Sequence, residues 1–325
     1  MISNLKCSRS ANLSVLLQYS SGIVIGMSIE AHPPHVDLHV PVLLDAVIEQ
    51  LNPQKDESYL DLTAGYGGHA SAILNRTGHE TSATLVDRDD FAISQLAEYG
   101  KRGATLLHTD FVSAAKQLAE EGKQFDMILI DLGVSSPQLD QSERGFSFTN
   151  SGPLDMRMDR RQDLTAKKVV NTAPVAELAR IIRDYGEESP GTAKRIANAI
   201  VNARPLETTE ELASLIKQQH RGKWSKTHPA TRTFQALRIA VNQELTQVET
   251  VLPLLPRLLK SGGRVGVISF HSLEDRLVKR YFSDQAASGF EAELKVLTKK
   301  PIDGATYDVH NPRARSAKLR AAVKI

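Results

Sequence analysis

The sequence predicts an α/β fold, a doubly wound parallel sheet interrupted by a helical insertion. Three observations predict it. Short apolar runs alternate with amphipathic stretches from about residue 41 to Asp131, the pattern of parallel strands joined by right-handed crossover helices. Four acids, Asp61, Asp87, Asp110 and Asp131, stand at or just beyond the ends of four of those runs, where ligands bind in such sheets. From about residue 139 to 243 the alternation stops and helical spacing takes over.

In chain order, Val42, Leu43, Val47, Ile48 and Leu51 fall on one helical side, and Asn52-Pro53 ends the helix. Tyr59 to Asp61 reads as a strand running into the glycine-rich turn Thr63-Ala64-Gly65-Tyr66-Gly67-Gly68-His69, after which a helix starts. Strands follow at Thr81–Val86, Ala104–His108 and Phe125–Ile130, with helices from Asp89-Asp90 to Tyr99 and from Phe111 to about Glu121. In the insertion, Glu177–Tyr185 and Thr192–Ala203 read as helices. Thr208 with Glu211 forms a capping box, and Thr231–Val251 reads as one long helix. The sheet resumes at Arg264–Phe270, Ser272 caps a helix through Phe282, and residues 291–299 give a further strand.

The chain has 325 residues, 41% of them hydrophobic and 24% charged, with net charge +2. That is ordinary for a globular protein, and the overall charge does not announce nucleic acid. A single cysteine, Cys7, excludes an intramolecular disulfide framework and a multi-cysteine zinc site. No metal-ligand spacing appears, so no metal is expected. No apolar run approaches the ~20 residues that cross a bilayer. Residues 1–34 are basic and serine-rich, with no acid before Glu30. Their composition allows a transit peptide, but they are expected to be a disordered or over-annotated extension, with Met27 as an alternative start.

The glycine turn lets backbone approach a ligand and offers helix N–H groups to an anion. Asp87, nineteen residues after Gly68, stands where a carboxylate binds ribose hydroxyls. Gly65-x-Gly67-Gly68 lacks the full dinucleotide spacing. An ammonium would suit Asp61 or Asp131, and a small carboxylate would suit the N–H groups of Gly67 to His69. These residues favour S-adenosylmethionine over a nicotinamide dinucleotide. His69 reads equally as a ligand contact or as the first turn of a helix. Phe111 reads as an adenine neighbour or as core.

Beyond the fourth strand comes Asp131-Leu132-Gly133-Val134-Ser135-Ser136-Pro137-Gln138. A polar-proline segment there can hold an amine against a methyl donor, with backbone carbonyls near Ser135 and Ser136 as acceptors. Read alone, Ser-Ser-Pro is more often a plain turn.

With this segment the sequence resembles the bacterial 16S ribosomal RNA cytosine-N4 methyltransferases, the MraW or RsmH family. The motifs are His39-Val40-Pro41-Val42-Leu43, the glycine turn, Asp131–Asp140, Glu143-Arg144-Gly145-Phe146-Ser147-Phe148, Gly152–Met158, Thr231–Arg238, Ser269–Asp275 and Asn311-Pro312-Arg313. The resemblance implies a class I S-adenosylmethionine-dependent methyltransferase, Rossmann-like, over 35–138 and 244–325. Residues 139–243 would be an inserted helical domain that recognises the substrate. It implies methylation of the N4 amine of decoding-centre cytosine 1402 in 16S ribosomal RNA. Cofactor contacts map to Gly67, Gly68, His69, Asp87, Phe111, Asp131 and Gln138, and the transfer side is expected at Asp131, Ser135, Ser136 and Pro137. Tyr66 departs from the family loop. The expected partner is 16S ribosomal RNA or the small subunit, in the cytoplasm, with no membrane; a homodimer is allowed.

RNA binding needs positive charge gathered on a face. Candidates are Arg157, Arg160, Arg161, Lys194, Arg195, Arg221, Lys223, Lys226 and Arg232, and in the tail Arg313, Arg315, Lys318 and Arg320. Trp224 and Phe146 are candidate stacking platforms, though a residue of either kind is more often core. His271 and Asp275 invite a catalytic reading or a helix-capping one. Rival readings are a nicotinamide oxidoreductase, a non-enzymatic RNA-binding factor, and a methyltransferase of DNA or protein.

Overall fold

The computed structural model describes residues 41–220 and 228–325. Expectations about the extension, His39-Val40, Arg221, Lys223, Trp224 and Lys226 lie outside the described residues.

Eight strands form one sheet: β1 (Tyr59–Asp61), β2 (Ala83–Asp87), β3 (Thr105–His108), β4 (Phe125–Asp131), β5 (Leu259–Ser269), β6 (Leu294–Val296), β7 (Ile302–Asp303) and β8 (Lys318–Lys324). The order is β3-β2-β1-β4-β5-β8-β6, with β7 beside β8. β1 to β5 pair in parallel, and β8 runs antiparallel to its neighbours. The chain steps outward from β1 to β3, then returns to place β4 on the other side of β1. The strand order therefore reverses between β1 and β4, which puts Asp61 and Asp131 at the switch point.

The doubly wound sheet expected from the alternation is thus observed. β4 shows why its sequence is apolar throughout. Met127 and Leu129 join one hydrophobic cluster with the helices Leu44–Leu51 and Gly68–Thr77, while Ile128 and Ile130 join another with the helix Phe111–Glu120. Alternate residues point to opposite faces and both faces are covered. A third cluster gathers the helices Ala166–Thr172, Val175–Gly186, Pro190–Asn202, Thr209–Gln218 and Thr231–Asn242. Three of the five, Ala166–Thr172, Pro190–Asn202 and Thr209–Gln218, start at Thr165, Ser189 and Thr208, whose hydroxyls accept first-turn N–H groups.

Four expectations are corrected. The long helix Thr231–Val251 is two helices, Thr231–Asn242 and Glu244–Val251, broken at Gln243 with φ 52°. Asn242 turns its amide to the backbone of Met156 and Met158, and Arg238 reaches across the break to Glu244. Those contacts hold the left-handed residue. His271, not Ser272, caps the helix Ser272–Ala287, through a reciprocal bond set with Glu274. The strand expected over 291–299 shrinks to Leu294–Val296. Residues 318–324, read as part of a basic tail, are an inner strand of the sheet.

Candidate active site at the switch point

Gly67 takes φ 79°, and a Cβ there would meet Tyr99 Cε2 at 2.8 Å; one on Gly68 would meet Pro41 Cγ at 2.6 Å. The turn is therefore closed to side chains at both positions. It feeds the helix Gly68–Thr77, whose N-cap Gly67 makes no side-chain capping bond. The first-turn N–H groups lack a capping side chain.

His69, 7% exposed, sits in that first turn. Its Nε2 lies 3.1 Å from the Val42 carbonyl, which makes it the N–H nitrogen, and Nδ1 faces Asp131 Oδ2 at 3.7 Å. Burial pushes its pKa down to about 4 against the Val42 hydrogen bond, so the ring is neutral at physiological pH.

Two acids meet here. Asp61 accepts from the Tyr59 hydroxyl at 2.7 Å and from the Thr63 N–H at 3.1 Å, yet burial outweighs both and raises its pKa to about 7. Asp131 stands well above the carboxylate range, through burial first and then through the charges of Asp61 and Glu274. Its backbone N–H donates to Thr63 Oγ1 at 2.6 Å, while its Oδ1 is buried without a hydrogen-bond partner. Two unneutralised carboxyls beside open N–H groups are complementary to a ligand carrying both a cation and an anion.

Asp87 accepts from the N–H groups of Gly65 and Asp89, each at 2.8 Å. Burial still raises it above its ordinary range. Each oxygen keeps acceptor capacity for a hydroxyl. Asp110 does other work: its carboxylate caps the helix Phe111–Glu120 through Val112 and Ser113. Phe111, 7% exposed, lies in the main core cluster rather than on an open face, so an adenine contact would be limited to its edge.

The segment after Asp131 is not a plain turn. Ser135 and Gln138 form a capping box that opens the short helix Ser136–Asp140, with Pro137 in its first turn. Gln138 is 6% exposed: Oε1 accepts the Ser135 N–H at 3.0 Å and Nε2 donates to Asp89 at 2.7 Å. Asp89 also pairs with Arg144 at 2.7 Å, and both are nearly fully buried. Burial works against the Asp89 charge, but the bonds from Gln138 and Arg144 win and hold it below its ordinary range. Arg144 further donates to the carbonyls of Arg157 and Met158. This buried link joins the end of β2, the Ser135–Gln138 segment and the helical region. Neither Asp89 nor Arg144 was among the expected site residues. Asp89 reads as a helix start, and the signal for Arg144 was its place in Glu-Arg-Gly-Phe. Tyr59 and Thr63, two residues to either side of Asp61, were also missed; strand periodicity puts Tyr59 on its face.

Other candidates settle into the framework. Asp275 holds Arg320 at 2.7 Å and lies 3.7 Å from Lys318, which corrects the reading of Arg320 as an RNA contact. Phe146 is 7% exposed in the helical cluster and offers no stacking face. Glu244, His271 and Glu274 bring three ligand-type atoms within 4.8 Å of one another. Both Glu244 oxygens, however, accept from Arg238, and Glu274 accepts from the N–H groups of Phe270 and His271. Arg238 is already the cation of that cluster. Among the described residues, no helix is long and apolar enough to cross a membrane.

Residues 37–325 match the MraW methylase family. A ribosomal RNA small subunit methyltransferase H from Heliobacterium modesticaldum is 47% identical over 311 residues, covering 88% of this chain and 98% of that one. One of the same name from Cyanothece sp. is 50% identical over 294 residues, covering 89% and 95%. Among solved structures, an rRNA methylase from Streptococcus thermophilus aligns over 92% of this chain and 99% of its own at 9% identity, with a TM-score of 0.38.

Proposed function

The chain belongs to the MraW methylase family, and on that premise we propose that it is an S-adenosylmethionine-dependent methyltransferase of small-subunit ribosomal RNA whose acceptor is the N4 amine of cytosine 1402 in the decoding centre. The observation that carries the cofactor reading is the pair Asp61 and Asp131, raised by burial, with Asp131 Oδ1 left without a partner. S-adenosylmethionine, when bound, supplies an electrophilic methyl on a sulfonium. Its ammonium fits the two acids, its carboxylate fits the first-turn N–H groups of the helix Gly68–Thr77, and its ribose hydroxyls fit Asp87. Gln138 and Asp89 hold the neighbouring wall.

Asp131 and the Ser135–Ser136–Pro137 segment form the transfer side. Backbone carbonyls there accept the hydrogens of an exocyclic amine and aim its nitrogen along the methyl–sulfur bond. No strong base is required, because methylation makes the nitrogen cationic and its proton then leaves readily. The target base must leave its stack to reach this point, and residues 139–243 are the proposed substrate-recognition domain beside it.

Small subunits from a strain lacking the gene, incubated with the protein and methyl-labelled cofactor, should gain label as N4-methylcytosine at that one position. Label on another nucleotide would overturn the acceptor, and no label in the RNA would overturn the reaction.

A further inference from the structure

Most described basic residues singled out in the sequence are neutralised where they stand. Arg157 pairs with Asp155, Arg161 with Asp159, Arg313 with Asp140, and Arg320 and Lys318 with Asp275. Arg232 lies 3.9 Å from Glu188. Arg160 makes no ion pair among the described residues but lines a cleft with Asp90 and Glu143, whose carboxylates offset its charge there. Arg315 is exposed with no carboxylate partner among the described residues. Lys194 and Arg195 differ from it in sharing a site. They line a groove of about 540 Å³ together with Gly191, Asn198, Asn202 and Gln219, and among the described residues no carboxylate lines it.

The groove has internal order. Lys194, Asn198 and Asn202 recur every fourth residue of the helix Pro190–Asn202, so they share one side of it. Arg195 is anchored by bonds from Nε to the Gln219 carbonyl at 3.1 Å and from Nη2 to Thr192 Oγ1 at 3.4 Å. Neither bond neutralises its charge. Asn198 Nδ2 donates to the Lys194 carbonyl at 2.9 Å, which leaves its Oδ1 and second N–H for a ligand. The result is two cations and two amides along one open, shallow groove that Ala199 also lines.

We propose that this groove is the seat of the RNA backbone. Lys194 and Arg195 take phosphate oxygens, and the Asn198 and Asn202 amides, each both donor and acceptor, take the 2′-hydroxyls that mark RNA. An acidic peptide could use the cations but has no hydroxyl row for the amides. The inference rests on the methyltransferase reading for the kind of RNA and for nothing else.

The test measures affinity for a transcribed small-subunit RNA fragment spanning the decoding centre, across a salt series. Lys194→Glu with Arg195→Glu should weaken binding by roughly tenfold or more, and flatten the log–log salt slope by about 1.4 if both contacts are to single-stranded phosphates. Lys194→Arg with Arg195→Lys should retain both. Asn198→Ala with Asn202→Ala should narrow the preference for RNA over the matching DNA while leaving the salt slope in place. Cofactor binding and melting temperature should not move in any variant, which separates this outcome from misfolding. An unchanged RNA affinity and salt slope in the charge-reversed protein would overturn the proposal. So would loss of binding to polyglutamate with RNA binding intact, which would give the groove to a protein. Wild-type protein that binds RNA through the groove yet transfers no methyl would leave this inference standing and remove the proposed reaction.

Discussion

Buried carboxylates in this protein are handled in two opposite ways. At the switch point the Asp61 carboxylate has a hydroxyl and an N–H contact, Asp131 Oδ1 has no hydrogen-bond partner, neither acid meets a cation, and burial drives both upward. At the junction with the helical region, Asp89 meets Arg144, and Glu274 meets His271 with Arg238 near, and both fall below their ordinary range although burial opposes it. The chain therefore has the means to neutralise a buried acid and withholds it at one place. An unmatched buried carboxyl is a cost in the free protein that a cationic ligand recovers on binding. Matched pairs hold the framework; unmatched ones leave a position for something else.

The largest expected effect lies on the matched side. Arg144→Ala would strand the Asp89 charge among buried groups and release the carbonyls of Arg157 and Met158. Removing one partner of a buried pair typically costs about 3–5 kcal/mol. Urea unfolding should show that loss. Arg144→Met combined with Asp89→Asn should recover most of it, since no charge is then stranded. A loss below about 1 kcal/mol in Arg144→Ala would erase the contrast between the two sets of acids.

On the unmatched side the expectation inverts. Asp131→Asn keeps the shape and removes a titratable carboxyl whose ionised form no cation in the free protein supports. Its melting temperature should hold or rise. Affinity for S-adenosylmethionine, followed by calorimetry, should fall by about 2 kcal/mol, roughly thirtyfold, the worth of one charge-assisted contact. A variant that unfolds more easily and binds as before would make Asp131 a framework residue like Asp89.

The same contrast describes what the sequence made legible. The acids Asp61, Asp87 and Asp131 were readable because strand periodicity and a glycine turn are local signals, and local signals place strand ends. Asp110, read in the same way, proved to be a helix cap, because one carboxylate at a strand end suits either task. The Asp89–Arg144–Gln138 link was not readable. Its members are 49 and 55 residues apart from Asp89, and nothing in a linear pattern marks which arginine folds back on which acid. Arg320 was misread for a related reason. A Lys-Leu-Arg-Ala-Ala-Val-Lys run looks like a basic tail until β5 supplies a neighbour and Asp275 a partner. The break at Gln243 was equally hidden, since helical spacing continues across it and only Asn242 and Glu244, bonding away from the helix axis, interrupt it.

The smallest of these effects is the one that reports on the unmatched acids without changing a residue. Asp61 titrates near 7 in the free protein, against an ordinary value of 3.8. A carboxyl raised on folding contributes stability that is fully present below about 3.8 and is lost as pH rises through about 7, so the free protein should lose stability over that window. A cation bound beside Asp61 favours its ionised form. Below pH 7 binding must therefore expel a proton from Asp61, and its share of the affinity should tighten with rising pH by up to about tenfold per unit, near 1.4 kcal/mol, and level above pH 7. His69 stays neutral through this range, with its pKa near 4, and adds no opposing slope. Calorimetry at pH 6 in two buffers of different ionisation enthalpy should reveal the released proton, and Asp61→Asn should reduce the release to the share of Asp131, whose carboxyl is also raised by burial. A binding curve flat from pH 6 to 8 would mean that Asp61 is already neutralised in the free protein, and the two sets of buried acids would no longer differ in kind.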